Sequence, residues 1–168
     1  MRSLLFVLIL ISFYNSPSQA QELKTFQLDE NLSIDLPVQP ETIGSDEHVQ
    51  WYLAIDSTTL FTLNKMKLDL HPDTLERRLK TAEMWKNFKH IYFDSQNPAD
   101  IKLEEIRNPG SKSMLYIEAL QEQEKVPIMS YTLFFTIKQT LYIAAVMESP
   151  ESSGEVRKQI LKSIAVKQ

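Results

Sequence analysis

Apolar and polar residues alternate along most of this chain, and a period of two places every second side chain on the same face of a strand. The alternation predicts strands in six segments: Phe26–Asp29, Leu32–Leu36, Val49–Ile55, Leu60–Leu68, Ile101–Arg107 and Met114–Leu120. The polar segment Glu41–Glu47 shows no such alternation and is predicted to be a loop. The turn signal Asn108–Gly110 joins the last two strands into a predicted hairpin.

The segment Ile128–Glu148 predicts two further strands joined by a turn at Lys138–Thr140. The second of these strands is apolar on both faces, because Tyr142 and Ala144 are apolar on the side opposite Ile143. A strand that faced water on one side would carry polar residues at every second position. The strand is therefore predicted to lie in the middle of a sheet that is covered on both faces.

A period near 3.6 replaces the alternation at two places, and each predicts an amphipathic helix. The first helix is predicted to begin at Asp73, which forms a capping box with Glu76, and to run to about Lys89. The second is predicted to begin with Ser152 and Glu155 as its capping pair. Its inner stripe is predicted to be Val156, Ile160 and Ile164. The fold class is thus predicted to be α+β, a three-layer α/β/α sandwich with a central antiparallel sheet and two main helices over opposite faces.

The first twenty residues have the composition of an export signal. Arg2 precedes the apolar run Leu4–Phe13, and small side chains precede a cleavage site between Ala20 and Gln21. The apolar run is about half as long as the roughly 20 residues that cross a bilayer, so a cleaved signal peptide is favoured over a membrane anchor. We predict a signal peptide at residues 1–20 and a single domain at residues 21–168, periplasmic or secreted, with no transmembrane segment after cleavage.

The composition excludes several classes of function. The 168 residues include no cysteine, which excludes disulfides, thiolate zinc sites and cysteine nucleophiles. They include three glycines, too few for a glycine-rich phosphate-binding loop. The formal net charge is −4, and removal of residues 1–20 takes away one arginine and leaves −5. An acidic chain without a basic tract is poorly suited to neutralise phosphates, so no nucleic-acid partner is predicted.

One short segment carries the residue types of a metal site. Asp69, His71 and Glu76 are close in sequence, and carboxylates with an imidazole bind divalent cations. Pro72 and Asp73 also suit a helix start, and this structural role is the favoured interpretation because no second histidine lies nearby. No catalytic residue, metal or cofactor is therefore predicted. The alternative function is a metal-dependent hydrolase that uses Asp69, His71 and Glu76.

Two sets of residues are candidates for binding. From Arg77 to His90 the first predicted helix carries five basic residues against one acidic residue, Glu83: Arg77, Arg78, Lys80, Lys86 and Lys89. This excess of positive charge suits an anionic lipid surface or an acidic partner, and it also suits the solvated face of an amphipathic helix. Four aromatic residues are candidates either for a ligand cleft between helix and sheet or for ordinary core: Trp51, Trp85, Tyr92 and Phe93.

The closing part of the chain resembles the PsbP-like superfamily. The strand Thr140–Val146 leads into a capped helix that closes on Ile160–Ile164, and an early strand covers Leu32–Pro37. The resemblance extends over Phe26–Val166, and the superfamily includes an extrinsic photosystem protein, a Ran-binding nuclear-import factor and exported bacterial proteins of unknown role. The resemblance implies an α/β/α sandwich around an antiparallel sheet that acts by binding and not by catalysis.

These observations together predict an exported, non-enzymatic binding or interaction module of the bacterial cell envelope. Its predicted partner is another envelope protein or a small apolar ligand. The predicted export signal argues against a role in nuclear import.

Overall fold

The structure, a computed structural model, describes residues 22–45, 48–55, 58–93, 99–107, 114–123 and 125–166. The predicted signal peptide, its cleavage site between Ala20 and Gln21, and the predicted turn Asn108–Gly110 lie outside the described residues. The described chain is mixed α/β, with a seven-stranded and a three-stranded antiparallel sheet and three helices.

Ten strands form the two sheets. In chain order they are β1 (Lys24–Gln27), β2 (Leu32–Leu36), β3 (Glu41–Ser45), β4 (His48–Ala54), β5 (Thr59–Lys67), β6 (Asp100–Arg107), β7 (Met114–Gln123), β8 (Val126–Ile137), β9 (Thr140–Glu148) and β10 (Ala165–Val166). The large sheet has the order β3-β4-β5-β9-β8-β7-β6, and the small sheet has the order β1-β2-β10. Every neighbouring pair is antiparallel.

Strand β9 lies at the centre of the large sheet, between β5 and β8. On one face of β9 the side chains of Tyr142 and Ala144 are 0% exposed, and on the other face Ile143 is 4% exposed and Ala145 is 0% exposed. The prediction that this strand is covered on both faces is confirmed. Apolar residues on both sides of one strand correctly indicated its central position.

The prediction of a loop at Glu41–Glu47 is wrong for Glu41–Ser45, and its last two residues lie outside the described residues. Residues Glu41–Ser45 form β3, an edge strand whose pairing with β4 begins with Glu41 opposite Tyr52. The side chains of residues 41–44 are all exposed. An edge strand needs backbone hydrogen bonds on one side only, and here it buries neither face, so no apolar alternation marks it in the sequence.

The small sheet contains a strand that the sequence did not predict. In β10, Ala165 pairs with Ser33 and Val166 pairs with Leu32, so β2 lies between β1 and β10. A strand of two residues is too short to show a period of two. The small sheet therefore joins residues from the beginning and from the end of the described chain.

The helices differ from the prediction in number. They are α1 (Pro72–Leu79), α2 (Ala82–Phe93) and α3 (Glu155–Ser163). The single helix predicted from Asp73 to about Lys89 is wrong, because the helix is interrupted between α1 and α2. At the break, the Thr81 backbone N–H and hydroxyl both donate hydrogen bonds to the Arg78 carbonyl, at 2.8 and 2.6 Å. A hydroxyl that bonds the nearby backbone competes with the regular helical pattern.

The capping boxes predicted for the helices are also wrong. His71 is the N-cap of α1 without a side-chain capping bond, and Asp73 lies in the first turn. Gly154, with φ of 72°, is the N-cap of α3. Ser152 accepts a hydrogen bond from the Gly154 N–H at 3.3 Å and donates one to Glu148 at 2.9 Å. The carboxylate is a strong acceptor, so it draws the Ser152 hydroxyl away from a capping role.

The inner stripe of α3 is narrower than predicted. Ile160 is fully buried and Ile164 is half-buried, but Val156 is 38% exposed. Arg157, a half-buried residue, faces the large sheet and forms an ion pair with Glu148. A charged residue therefore occupies the inner position that the sequence pattern assigned to an aliphatic one.

The two faces of the large sheet are covered differently. Helices α1 and α2 pack on one face, the helix-pair side, whose core includes Leu75, Trp85, Phe88, Phe134 and Ile143. The small sheet and α3 pack on the other face, the small-sheet side, whose core includes Leu32, Ile34, Phe61, Tyr142 and Ile160. The mid-chain and terminal helices cover opposite faces as predicted, but the mid-chain helix is two helices, and the small-sheet side shares its cover between a helix and a second sheet.

Candidate functional site

The outer surface of α2 carries two neighbouring depressions that are open to solvent. The first, of about 280 Å³, is lined by Arg77, Arg78, Thr81, Glu83, Met84 and Asn87. The second, of about 490 Å³, lies between α2 and the start of β6, and its lining includes Lys86, Asn87, Lys89, His90, Phe93 and Ile101. Because Asn87 lines both depressions, they are adjacent, and we call them together the α2 groove.

The basic residues predicted as a partner surface all lie on α1, on α2 or at the break between them, and they differ in their pairing. Lys80 Nζ lies 3.0 Å from Glu76 Oε1, and Lys89 Nζ lies 2.7 Å from Glu104 Oε2. These two lysines are therefore partly neutralised. Three exposed basic side chains have no acidic partner among the described residues: Arg77, Arg78 and Lys86.

The floor of the α2 groove is apolar. Met84, 7% exposed, lines the first depression, and Phe93, 2% exposed, lines the second. Both side chains belong to the core of the helix-pair side, so the floor is fixed by the packing beneath it. A cationic rim above an apolar floor is able to hold a carboxylate or phosphate by charge and to cover an apolar group beside it.

The four aromatic candidates do not frame one cleft. Trp51 lies in the core of the small-sheet side, whereas Trp85 and Phe93 lie in the core of the helix-pair side. Trp85 donates a hydrogen bond from Nε1 to the Leu79 carbonyl at 2.9 Å, which links α1 to α2. Tyr92 packs edge-to-face on Phe93, with ring centroids 4.9 Å apart. Of the four, only Phe93 lines the α2 groove.

The residues considered for a metal site are not brought together. Asp69, His71 and Glu76 are all exposed, and His71 Nδ1 lies 3.8 Å from Asp73 Oδ2 on the surface. Within the part of the chain that the structure describes, no group of three His, Asp or Glu residues is arranged to hold a metal ion. The hydrolase alternative therefore has no support from the geometry.

Asp29, in the β1–β2 turn, forms a polar cluster that the sequence pattern did not reveal. Tyr142 donates to Asp29 Oδ2 at 2.6 Å, the Asn31 N–H donates to Oδ1 at 2.8 Å, and Lys65 Nζ lies 3.1 Å from Oδ2. Burial raises the pKa of Asp29, but the hydrogen bonds from Tyr142, Asn31 and Lys65 outweigh it and hold the pKa below its usual range. Burial and then the Asp29 carboxylate raise the pKa of Tyr142.

A second buried polar cluster joins α3 to the end of β9. Glu148, 2% exposed, pairs with the Arg157 guanidinium and accepts a hydrogen bond from Ser152. The guanidinium also stacks on Tyr131, with its central carbon 3.6 Å from the ring centroid. Both polar clusters tie covering elements to the sheet, and neither borders the α2 groove. No helix among the described residues has the length and apolar character needed to cross a bilayer.

No protein-family model matches the sequence of this chain, and no curated protein is similar to it in sequence. Among solved structures, cyanobacterial PsbP (CyanoP) from Synechocystis sp. PCC 6803 matches with a TM-score of 0.58 and 9% identity, over 91% of this chain and 97% of that chain. A crystal structure from Bacteroides thetaiotaomicron VPI-5482 matches with a TM-score of 0.48 and 11% identity, over 82% of this chain and 45% of that chain.

A protein of unknown function from Pseudomonas aeruginosa matches with a TM-score of 0.45 and 10% identity, over 77% of this chain and 84% of that chain. Similarity at such low identity concerns architecture, because fold and activity are separable. The match to the cyanobacterial protein extends over nearly the whole length of both chains. The chain therefore has a PsbP-like fold.

Proposed function

We propose that this protein is an exported, non-enzymatic binding module of the bacterial cell envelope, periplasmic or secreted, and that it binds its partner through the α2 groove. One observation carries the proposal. Arg77, Arg78 and Lys86 lack an acidic partner among the described residues, although the chain carries 22 acidic residues and a net charge of −4. Such a local positive potential on an acidic protein attracts an anionic partner and orients its approach.

The form of the groove supports binding in preference to catalysis. Both depressions are open to solvent, and their rims carry exposed side chains such as Arg78 and Lys86. Catalytic sites instead need polar groups that are fixed in place and shielded from water. Exposed cations suit the capture of a partner, since their electric field attracts an anionic partner and speeds its approach.

The export part of the proposal rests on the sequence of residues 1–20. The folded module would then comprise residues 21–168. We propose that it is a variant of the three-layer α/β/α sandwich, in which the small sheet and α3 together form the third layer.

The test is to recover the protein from cells of its own species after mild cross-linking, and to determine the mass of each complex by native mass spectrometry. A variant with Arg77→Gln, Arg78→Gln and Lys86→Gln removes the unpaired cations. A matched variant with Lys24→Gln, Lys125→Gln and Lys162→Gln removes the same charge from other exposed positions. We expect a stoichiometric partner with the native protein and with the matched variant, and its loss with the groove variant.

Two results would contradict the proposal. A monomer with no associated mass in all three preparations would overturn the binding role. Recovery of the full 168-residue chain from the cytosol, with residues 1–20 intact, would overturn the export assignment.

A further inference from the structure

We infer that the occupant of the α2 groove is an acidic protein segment in which an apolar side chain lies between carboxylates. The inference deepens the proposed function and rests on it, since it names the chemistry of the partner. Three features of the groove support it: the placement of the unpaired cations, the apolar floor and the position of Glu83.

The unpaired cations form two groups on either side of Asn87. Arg77 and Arg78 line the first depression and Lys86 lines the second, whereas Asn87 borders both. An occupant that spans the groove therefore meets positive charge at two separate places. Arginine binds carboxylates through two parallel hydrogen bonds, which makes the first place well suited to an Asp or Glu side chain.

Apolar surface accompanies each charged place. Met84 lies at the first depression, and Phe93 and Ile101 lie at the second. Met84 and Phe93 are nearly buried already, so the apolar surface that an occupant with charge alone would leave uncovered belongs to the half-buried Ala99 and Ile101. A segment that carries an apolar side chain between acidic ones would cover the floor and neutralise the rim together.

The structure favours a protein segment over a lipid surface. None of the large apolar side chains that are exposed among the described side chains lies on α1 or α2: they are Val38, Ile43, Leu103, Ile106, Val126 and Val156. A helix that lies on a bilayer inserts exposed apolar side chains among the lipids, and none of these is available here for that purpose. A concave groove with polar Thr81 and Asn87 at its border also fits a peptide segment better than the flat surface of a bilayer.

Glu83 provides a sharper test than the cations do. It is exposed, it lines the same depression as Arg77 and Arg78, and no cationic side chain among the described residues pairs with it. It must therefore repel an acidic occupant. Glu83→Gln is expected to tighten binding by about twofold to fivefold, the range of one exposed charge pair. A gain of affinity is a result that misfolding would not produce.

The experiment measures fluorescence anisotropy with a labelled synthetic peptide in which one Leu is flanked by glutamates on both sides. The groove variant with Arg77→Gln, Arg78→Gln and Lys86→Gln should weaken binding by about tenfold or more, and added salt should weaken it further. Asn87→Trp should block the junction of the depressions without changing charge. Gln159→Trp, at an exposed position of α3, is its control and should bind as the native protein does.

The comparison probes are the same peptide with Gln in place of Glu, the peptide with Ser in place of Leu, and phosphatidylcholine vesicles that contain phosphatidylglycerol. Weak binding of all three supports the inference. Equal binding of the Ser peptide would overturn the role of the floor, and strong binding of vesicles that the groove variant abolishes would assign the surface to lipid. If no peptide binds while a partner still co-purifies through the same cations, the inference fails and the proposed function stands.

Discussion

The two faces of the large sheet are held by different kinds of contact. On the small-sheet side, directional polar bonds fasten the cover: Asp29 to Tyr142, Glu148 to Arg157, and the Asp35 N–H to Ser163 Oγ at 2.9 Å. On the helix-pair side, aromatic packing dominates, with Tyr92 edge-to-face on Phe134 at 5.6 Å and Trp85 edge-to-face on Phe88 at 5.8 Å.

The difference follows from chain connectivity. Helices α1 and α2 are consecutive in sequence, so burial of one apolar face is sufficient to place them. The cover of the small-sheet side comes from β1 and β2 near one end of the chain and from α3 and β10 near the other, and polar bonds fix how these parts meet. On the polar surface of the helix pair, Lys89 bonds Glu104 of the sheet, whereas Arg77, Arg78 and Lys86, which have no acidic partner among the described residues, line the α2 groove.

The largest loss of stability is expected from a substitution in the core of the helix-pair side. Phe134 is 0% exposed and contacts the rings of both Tyr92 and Phe93. Phe134→Ala should lower the free energy of unfolding by about 3–5 kcal/mol, since it removes buried area and leaves a cavity. Urea denaturation measures the change. Ile43→Ala, at a position 57% exposed, is the control and should stay within about 0.5 kcal/mol of the native protein.

On the small-sheet side, the loss of one buried charge should lower the stability nearly as much. Arg157→Ala leaves the Glu148 carboxylate buried without its partner, and we expect a loss of about 3 kcal/mol in the free energy of unfolding. Adding Glu148→Gln should restore part of the loss, which a double-mutant cycle measures. Lys158→Ala breaks only the exposed pair with Glu155 and should leave stability unchanged. Equal effects of Arg157→Ala and Lys158→Ala would contradict the buried-pair interpretation.

A smaller effect is expected at the start of α3. Gly154 has φ of 72°, and a Cβ there would overlap the Arg157 guanidinium. Gly154→Ala should lower the free energy of unfolding by about 1–2 kcal/mol, because the left-handed conformation disfavours alanine. The loss should shrink when Arg157→Ala is already present, since the overlap is then absent. An unchanged loss in that background would show that backbone strain alone is responsible.

An effect no larger than that of Gly154→Ala is expected from loss of the Asp29 charge. Because the folded state lowers its pKa, the carboxylate stabilises the fold above its unfolded pKa of about 3.9, and this contribution is lost as the pH falls through the lower, folded pKa. Tyr142 has a raised pKa, so its contribution is present below about pH 10 and is lost as the pH rises further.

Urea denaturation from pH 7 to pH 3 measures how the free energy of unfolding falls at acidic pH. Asp29→Asn should lower the free energy of unfolding at pH 7 by about 1–2 kcal/mol, and it should flatten the decline below about pH 4. Asp69→Asn, at an exposed position on the surface, is a matched control. If Asp29→Asn leaves the loss of stability at low pH unaltered, other carboxylates are responsible for the pH dependence.

The sequence predicts those parts of the fold that depend on apolar burial. The central position of β9 follows from apolar residues such as Tyr142 and Ile143 on its opposite faces. The positive charge of the helix pair was also predictable, because exposed basic residues such as Arg77 carry their charge wherever the chain places them. The pairing of these residues was not predictable: Lys86 has no acidic partner in the described part of the chain, whereas Lys89 pairs with Glu104, which lies beside α2 because of the position of β6 in the sheet.

Other features depend on contacts that no local pattern records. Arg157 interrupts the apolar stripe of α3 and is turned inward by Glu148, nine residues earlier in the chain. Tyr142 counts as apolar in the alternation, although its hydroxyl donates a hydrogen bond to Asp29, 113 residues away. The break at Thr81 and the edge strand at Glu41–Ser45 involve hydrogen bonds in place of burial. Hydrophobic periodicity reports burial only, so it gives no indication of these features.

The pairing of β2 with both β1 and β10 bears on the order of events during synthesis. All seven strands of the large sheet have been translated by Glu148, whereas α3 and β10 follow at Glu155–Val166. Until those residues emerge from the ribosome, Phe61, Tyr142 and their neighbours on one face of the sheet lack their final cover. Contacts between distant parts of a chain form late and slowly. For the export that we propose, this order of synthesis would leave the chain incompletely folded while a translocation machinery threads it across the membrane.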